Sequence, residues 1–407
     1  MRIIVGVSGG VAAYKACDLV SRLVQRNHEV RVLMTPNAAD FVGPLSFRAL
    51  TGQTVGIMTD DEPDGPLSHI RLAHWAQALV VAPATASLLA RWAAGQASDL
   101  LSLVYLAFGG PVLVAPAMEP DMWAHPRTQA NIETLKGDGV KVIGPDRGRL
   151  ASGRVGLGRM VGPEELVDAV EHANVPPDLS GVTLVVTAGA TFEYFDPVRL
   201  MTNPSTGFMG VTIANLACWR GARVILVEGP SVKAAKVHPD VERRPVESAQ
   251  DMLSAVQDVM SGADAFIGAA AVSDFRPAHR LTHKAKKDSL DLQWQVEENP
   301  DIIRWVKAHY GNTKWVVGFA AETENPVENA QKKCQDKGLD AIVANLVGTD
   351  QGFGYHSHQA WLLWDDQVEP LFDGAEGSDG SEGKVHTADR LLNWLADRIQ
   401  EASGWSH

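Results

Sequence analysis

Short apolar runs alternate along the chain with longer stretches in which apolar residues recur every three or four positions. In the first half the runs Ile3 to Val7, Glu29 to Met34, Ala78 to Ala82, Val112 to Ala115 and Val140 to Ile143 predict buried strands, and the spacing from Ala12 to Gln25 predicts an amphipathic helix. That rhythm is the signature of βαβ units and a parallel sheet. It pauses at Asn174 to Ser180, where two adjacent prolines sit among polar residues, and restarts with Val182 to Thr187. It then runs on through Arg223 to Val227, Ala265 to Ala270, Trp315 to Ala320 and Ala341 to Ala344. The reading is two doubly wound α/β domains, residues 1–176 and 177–407. Asp365 to Glu382 carries seven carboxylates and no Lys or Arg, so it is expected as a solvated hairpin tip or loop, with an acidic loop spanning 365–384.

Composition narrows the function classes. The 407 residues are 45% hydrophobic and 21% charged, enough for two or three full cores. Thirty-six Lys and Arg against 49 Asp and Glu give a net charge of −13, without the broad positive footprint of a nucleic-acid or anionic-membrane binder. The cysteines Cys17, Cys218 and Cys334 form no Cys-x-x-Cys pair, so neither a disulfide framework nor a thiolate metal site is expected. No apolar run is long enough to span a membrane and the glycine turn comes too early for a signal peptide, so a cytoplasmic location is expected.

Candidate chemistry begins at Gly6-Val7-Ser8-Gly9-Gly10, between the first strand and the first helix, where unpaired N–H groups and the helix dipole favour a phosphate. The segment is neither a Gly-x-Gly-x-x-Gly fingerprint nor a Walker-type loop. It matches Gly-x-Ser-x-Gly formally, but only one strand precedes it and no earlier loop could supply an oxyanion donor. His69 stands before a helix, as a solvated loop histidine or a base. Thr85 and Ser87 follow a strand's carboxyl end, where open sheets bind ligands and where a cap for the next helix is equally in place.

Taken in order, Ser8-Gly9-Gly10-Val11-Ala12-Ala13-Tyr14-Lys15, the His69 segment, Ala82-Pro83-Ala84-Thr85-Ala86, Pro116-Ala117-Met118 with Met122-Trp123, and Gly156-x-Gly158-Arg159-Met160 resemble the flavin-dependent phosphopantothenoylcysteine decarboxylases of coenzyme A biosynthesis. The resemblance implies a flavodoxin-like domain with FMN at Ser8, Gly9, Gly10, Thr35, Thr85, Ser98 and Asp99, and His69 as active-site base. It also implies oxidation of the substrate thiol to a thioaldehyde, loss of the α-carboxylate as CO₂, and reduction of the resulting enethiol. Two positions depart from the family: Glu119 replaces the Asn of Pro-Ala-Met-Asn, and Ser152 replaces the Cys of Leu-Ala-Cys-Gly. An alcohol is a far weaker acid than a thiol of pKa ~8.5, so Ser152 cannot simply donate the last proton. The expectation is that Glu119, buried beside the substrate carboxylate, donates it instead.

The second half carries Thr187-Ala188-Gly189-Ala190-Thr191, Asn203-Pro204-Ser205-Thr206-Gly207-Phe208-Met209-Gly210 and Ala269 to Arg276 at strand ends, plus a small basic cluster of Lys284, Lys286 and Lys287. Each alone reads equally as capping, a surface pair or a solvated face. Together with Asn299-Pro300-Asp301-Ile302, Gly318 to Thr323, Lys333 and Lys337 they resemble the phosphopantothenate–cysteine ligase domain. The resemblance implies a Rossmann-like domain that activates the 4′-phosphopantothenate carboxylate with CTP and displaces CMP with cysteine's amine. Asn203 would hold the acyl-cytidylate; Ala270, Asp274 and Lys284 the nucleotide; Pro300, Asp301, Ile302, Ile303 and Phe319 the cytosine; and Lys333 and Lys337 the phosphates. Mg²⁺ would ride on the triphosphate, with no protein metal cage. Two departures are Ala190 in place of the family Pro and Phe208 in place of the family Lys. The whole reads as a bifunctional, homo-oligomeric enzyme with subunit-shared sites. Alternatives are a flavin half that stops at the enethiol, one that acts on another cysteine-ended acid, or an FMN-binding regulatory module.

Overall fold

The computed structural model describes residues 1–57, 67–234, 236–286, 295–348, 359–372 and 380–403. It divides into two compact units, Met1–Val175 and Pro176–His407. Among the described residues no helix is long and apolar enough to cross a membrane.

The first unit runs β1 (Arg2–Val7), α1 (Tyr14–Gln25), β2 (Glu29–Met34), α2 (Pro44–Thr51), α3 (Ser68–Trp75), β3 (Ala78–Ala84), α4 (Ala86–Ala93), α5 (Leu100–Ala107), β4 (Val112–Pro116), α6 (Pro120–Ala124), α7 (Pro126–Gly137), β5 (Lys141–Val142), β6 (Asp146–Arg149), β7 (Val155–Arg159) and α8 (Pro163–Glu171). The main sheet has the order β2-β1-β3-β4-β5, and every pairing in it is parallel. Helices on both faces explain why its strands are nearly continuous apolar runs: all seven residues of β3 are buried. Val81, Leu89, Trp92, Leu101 and Val104 fill one core. Trp92 stacks on Tyr105 at 3.9 Å between ring centroids, and its indole N–H donates to Ser102 Oγ at 3.1 Å, so the buried polar tip is satisfied. The sheet order reverses between β1 and β3, and a crevice opens there at the strands' carboxyl ends.

The second unit runs β8 (Thr183–Ala188), β9 (Glu193–Tyr194), β10 (Leu200–Met201), α9 (Phe208–Trp219), β11 (Arg223–Glu228), β12 (Glu242–Pro245), α10 (Ala249–Met260), β13 (Ala265–Gly268), β14 (Phe275–Pro277), β15 (Val296–Glu298), α11 (Ile302–Tyr310), β16 (Trp315–Glu322), α12 (Pro326–Lys337), β17 (Ala341–Leu346), β18 (Ala360–Trp364), β19 (Gln367–Phe372) and α13 (Gly380–Ser403). Its sheet has the order β12-β11-β8-β13-β16-β17-β18-β19, with the reversal between β8 and β13. From β12 to β17 the pairings are parallel, but β18 and β19 add an antiparallel hairpin, so this sheet is mixed. The expected acidic hairpin tip or loop over 365–384 is a tip only at its start, and the rest is corrected. Asp365 and Asp366 form the tip, Gln367 to Phe372 is an edge strand, and a helix has begun by Gly380. Residues 373–379 of that stretch lie outside the described residues. Carboxylates and Pro370 on an edge strand are what an exposed edge tolerates, because the outer side needs no partner.

Candidate active sites

The first crevice is a cavity of about 970 Å³ lined by Ser8, Gly9, Gly10, Thr35, Thr85, Ser98, Asp99 and Glu119 among others. Ser8 is 1% exposed, and its hydroxyl is committed to the scaffold. It donates to the Pro83 carbonyl at 2.8 Å and accepts the Thr85 N–H at 3.0 Å, locking the turns after β1 and β3 together. This removes the formal Gly-x-Ser-x-Gly reading, because the oxygen is not presented to a substrate. Thr85 and Asp99 are the N-caps of α4 and α5, accepting from Leu88 N and Ser102 N. Capping aims both helix N-termini, with their unpaired N–H groups, at the cavity. The Arg91 guanidinium bonds Asp99 at 2.7 Å and Ser98, so one cation stands among these hydroxyls and amides. A Cβ on Gly9 would fall 2.8 Å from Asn37 backbone atoms, so only glycine lets the turn close on the 35–37 segment. Met118, Met122 and Val11 supply an apolar wall. Hydroxyls, helix N-termini and the Arg91 guanidinium, with thioethers beside them, fit a phosphate carried on a flat ring.

Glu119 precedes α6, and its Oε2 accepts the Ser152 hydroxyl at 3.0 Å. The two departures from the family are therefore in contact, 33 residues apart in sequence. Ser152 lies in the turn between β6 and β7, which is closed by Leu150 and Gly153 backbone bonds and tied to α6 by an Arg154–Asp121 ion pair at 2.6 Å. That pair holds the Asp121 carboxyl below its usual range, chiefly through its hydrogen bond to Arg154. The burial expected of Glu119 is not found: it is half-buried, and Ser152 is exposed and does not line the cavity. A turn at the end of a two-stranded hairpin has no sheet packed over it. His69 does not line the cavity either. It lies on the first turn of α3, with Nδ1 buried and no hydrogen-bond partner among the described residues.

The second cavity, about 750 Å³, lies at the carboxyl ends of β8, β13 and β16. It brings together Asn203, Ala270, Asp274, Pro300, Asp301, Ile302, Ile303, Phe319, Lys333 and Lys337. Asn203 Nδ2 donates to the Val272 and Ala271 carbonyls at 3.1 and 3.3 Å, anchoring the 203–207 turn against the strand end. Gly207 caps α9 with φ +76°, and a Cβ there would lie 3.0 Å from the Gly189 nitrogen, so the two glycine turns require each other. Asp301 caps α11 and bonds Lys337 at 2.8 Å, while Lys333 pairs with Glu322. Burial raises the Asp301 carboxyl, but Lys337 and the Arg304 N–H offset this and leave it below the usual carboxylate range.

Lys284 is exposed and does not line this cavity, and Lys287 lies outside the described residues. The segment carrying Lys284 is fixed through its neighbour, since the Ala285 N–H donates to Asp196 at 3.2 Å. Asp196 is fully buried. Burial alone would raise its carboxyl, yet the N–H groups of Val198, Arg199 and Ala285 and the Arg199 side chain together lower it to about 2. Lys384 was missed by sequence reasoning. It is 4% exposed, lines the cavity, and places Nζ 5.9 Å from the centre of the Phe208 ring. Burial lowers its ammonium to about 8. Nothing local marked it, because it falls in the stretch 365–384 expected as an acidic loop.

The fold and the cavities define a two-domain α/β protein with one cavity at the carboxyl ends of the strands in each half. Residues 1–174 match the flavoprotein family, and residues 179–397 match the DNA/pantothenate metabolism flavoprotein C-terminal domain. The coenzyme A biosynthesis bifunctional protein CoaBC of Vibrio vulnificus (strain YJ016) is 42% identical over 367 residues, covering 89% of this chain and 91% of the relative. That of Escherichia coli (strain K12) is 43% identical over 378 residues, 91% of this chain and 93% of the relative. Among solved structures, the C-terminal domain of a CoaBC protein is 33% identical with a TM-score of 0.45, covering 55% of this chain and 99% of that one. The chain belongs to the CoaBC family of bifunctional coenzyme A biosynthesis enzymes, with a decarboxylase half and a ligase half.

Proposed function

We propose that residues 177–407 join 4′-phosphopantothenate to cysteine with CTP, and that residues 1–176 decarboxylate the product to 4′-phosphopantetheine with FMN. In the ligase cavity a substrate carboxylate oxygen attacks the α-phosphorus of CTP, and pyrophosphate leaves with the bond pair. Cysteine's amine then attacks the acyl carbon, and CMP leaves as a stabilised phosphate where oxide could not. Asn203, whose N–H groups are held by Val272 and Ala271, fixes the 203–207 turn around the acyl phosphate and leaves its amide oxygen to accept from cysteine's amine. Asp274 and the Pro300–Ile303 segment with Phe319 enclose the base, and Lys333 and Lys337 face the phosphates. Mg²⁺ travels with the triphosphate.

In the first cavity the Ser8–Gly10 turn, Thr35, Thr85 and the Ser98–Asp99 segment would hold FMN, which when bound supplies reversible two-electron chemistry to the substrate thiol. Glu119 would pass a proton to carbon in the last reduction, and Ser152 stabilises the carboxylate that remains by donating to Oε2. His69 acts as base from a second copy of the chain. The observation supporting this is an imidazole nitrogen with no partner among the described residues, beside Leu67 and Ile70, 55% and 39% exposed, outside the cavity of its own domain.

The contact that carries the decarboxylase reading is the Ser152–Glu119 hydrogen bond. Glu119→Gln, supplied with 4′-phosphopantothenoylcysteine, is expected to release CO₂ but accumulate a product two hydrogens short of 4′-phosphopantetheine. Full conversion to the saturated product by this variant, read by mass spectrometry, would rule out Glu119 as the proton donor.

A further inference from the structure

Outside both cavities, one cluster of ligating side chains converges where α9 ends. Cys218, in the last turn of α9, meets His238 of the 236–240 loop, with Sγ 3.3 Å from Nδ1. The Asp240 carboxylate stands 3.9 Å from the same nitrogen, and one ligating atom from each of the three residues lies within 4.8 Å of the others. Asn215 fixes the loop to the helix at two points: its Nδ2 donates to the Lys236 carbonyl at 2.9 Å, and its Oδ1 accepts the His238 N–H at 2.8 Å. The Trp219 ring packs at right angles to the imidazole, 4.4 Å between centroids, and so restrains its rotation.

We infer that Cys218, His238 and Asp240 form a binding site for one zinc-type divalent cation, separate from the ligase cavity, which none of the three lines. The Asp240 N–H donates to Nδ1 at 3.2 Å, so this nitrogen carries the lone pair, the form of imidazole that binds metals. The Cys218 thiol points its hydrogen at the same lone pair. The cation takes the place of that hydrogen: the S–H bond breaks, the proton leaves to solvent, and thiolate sulfur and imidazole nitrogen each bond to the ion. Zinc–sulfur and zinc–nitrogen bonds of ~2.3 and ~2.0 Å at a tetrahedral angle set the two atoms about 3.5 Å apart, close to the 3.3 Å seen here. The Asp240 side chain is 82% exposed, so it swings in as third ligand at little packing cost and leaves the fourth position to water. Sulfur and nitrogen select a borderline-soft ion over Mg²⁺, which prefers oxygen. Without the ion, burial and the Asp240 charge push the thiol up to about 11, so it stays protonated and is a poor nucleophile. A bound dication reverses that preference. The site escapes a search for paired cysteines because thiol and imidazole are 20 positions apart and meet only when the loop folds back on α9.

The test uses the full chain, stripped of metal and kept without CTP, whose phosphates bind cations. Co²⁺, followed by difference absorbance so that flavin cancels, is expected to bind one equivalent per chain with a thiolate-to-cobalt charge-transfer band. Zn²⁺ should remove the band and excess Mg²⁺ should not. Cys218→Ser should abolish it, Cys17→Ser should keep it, and Asp240→Ala should weaken Co²⁺ binding by about 10- to 100-fold. Zn²⁺ should also raise the thermal midpoint of the wild type and leave that of Cys218→Ser unmoved, with circular dichroism confirming that the variant is folded. A wild type without the band at one equivalent, or a band unchanged in Cys218→Ser, overturns the site. If Cys218→Ser fails to fold, Asp240→Ala decides, because it alters an exposed side chain: Co²⁺ binding as tight as in the wild type overturns the site.

Discussion

Gly9→Val is expected to yield a chain that purifies without bound flavin while its second half still ligates. The valine Cβ would lie 2.8 Å from the Asn37 backbone, a contact that real side chains do not make, so the turn must open. Overpacking of this kind costs about 1–3 kcal/mol. Set against the positioning of the Ser8 and Thr85 bonds, that converts to flavin binding weakened by about 10- to 100-fold, at 1.4 kcal/mol per tenfold. Visible absorbance of the purified protein and titration with FMN measure it. Retention of flavin at wild-type affinity would mean that the cofactor does not rest on this turn.

Asn203→Ala should abolish most ligation and leave decarboxylation of supplied 4′-phosphopantothenoylcysteine intact. The amide does two things: its N–H groups tie the 203–207 turn to the Val272 and Ala271 carbonyls, and its oxygen is left to accept from the attacking amine. Removing one such group aimed at developing charge costs on the order of 100- to 1000-fold. The deficit should appear in kcat more than in KM, and Asn203→Asp should not rescue it, because a carboxylate would repel the acyl phosphate. A wild-type ligation rate in Asn203→Ala would place the acyl transfer elsewhere in the cavity.

Much of this architecture was legible in the sequence because its signals are local. Glu29–Met34 is an apolar run bounded by a helix and a turn, and its strand has those bounds in the structure. Thr85 was legible for the same reason, as a cap at the residue before a helix, whereas Asp99 and Asp301 came only with the resemblance and their capping is seen in the structure. Harder cases depended on long-range packing. The strand Gln367–Phe372 read as loop, because its carboxylates and proline oppose strand propensity, and only pairing with Ala360–Trp364 makes it an edge. Lys384 read as surface, since the burial that makes it notable comes from α13 settling onto α9. Lys284 read as a phosphate contact from its charge and its motif, neither of which records whether a loop turns toward its own domain's cavity.

The contact between Glu119 and Ser152 shows the same limit from the other side. Each residue was visible as a departure, but a hydrogen bond spanning 33 positions appears only once the β6–β7 turn lies against α6. The pairing makes the two replacements one change in the chemistry of the site instead of two separate losses.

The most direct test of the account is mass spectrometry of the products formed by the purified chain from 4′-phosphopantothenate, cysteine, CTP and Mg²⁺, after its visible spectrum has been checked for flavin. Accumulation of 4′-phosphopantetheine with release of pyrophosphate and CO₂ is the predicted result. Arrest at 4′-phosphopantothenoylcysteine, or at a species two hydrogens short of 4′-phosphopantetheine, would contradict a complete two-step enzyme in this chain.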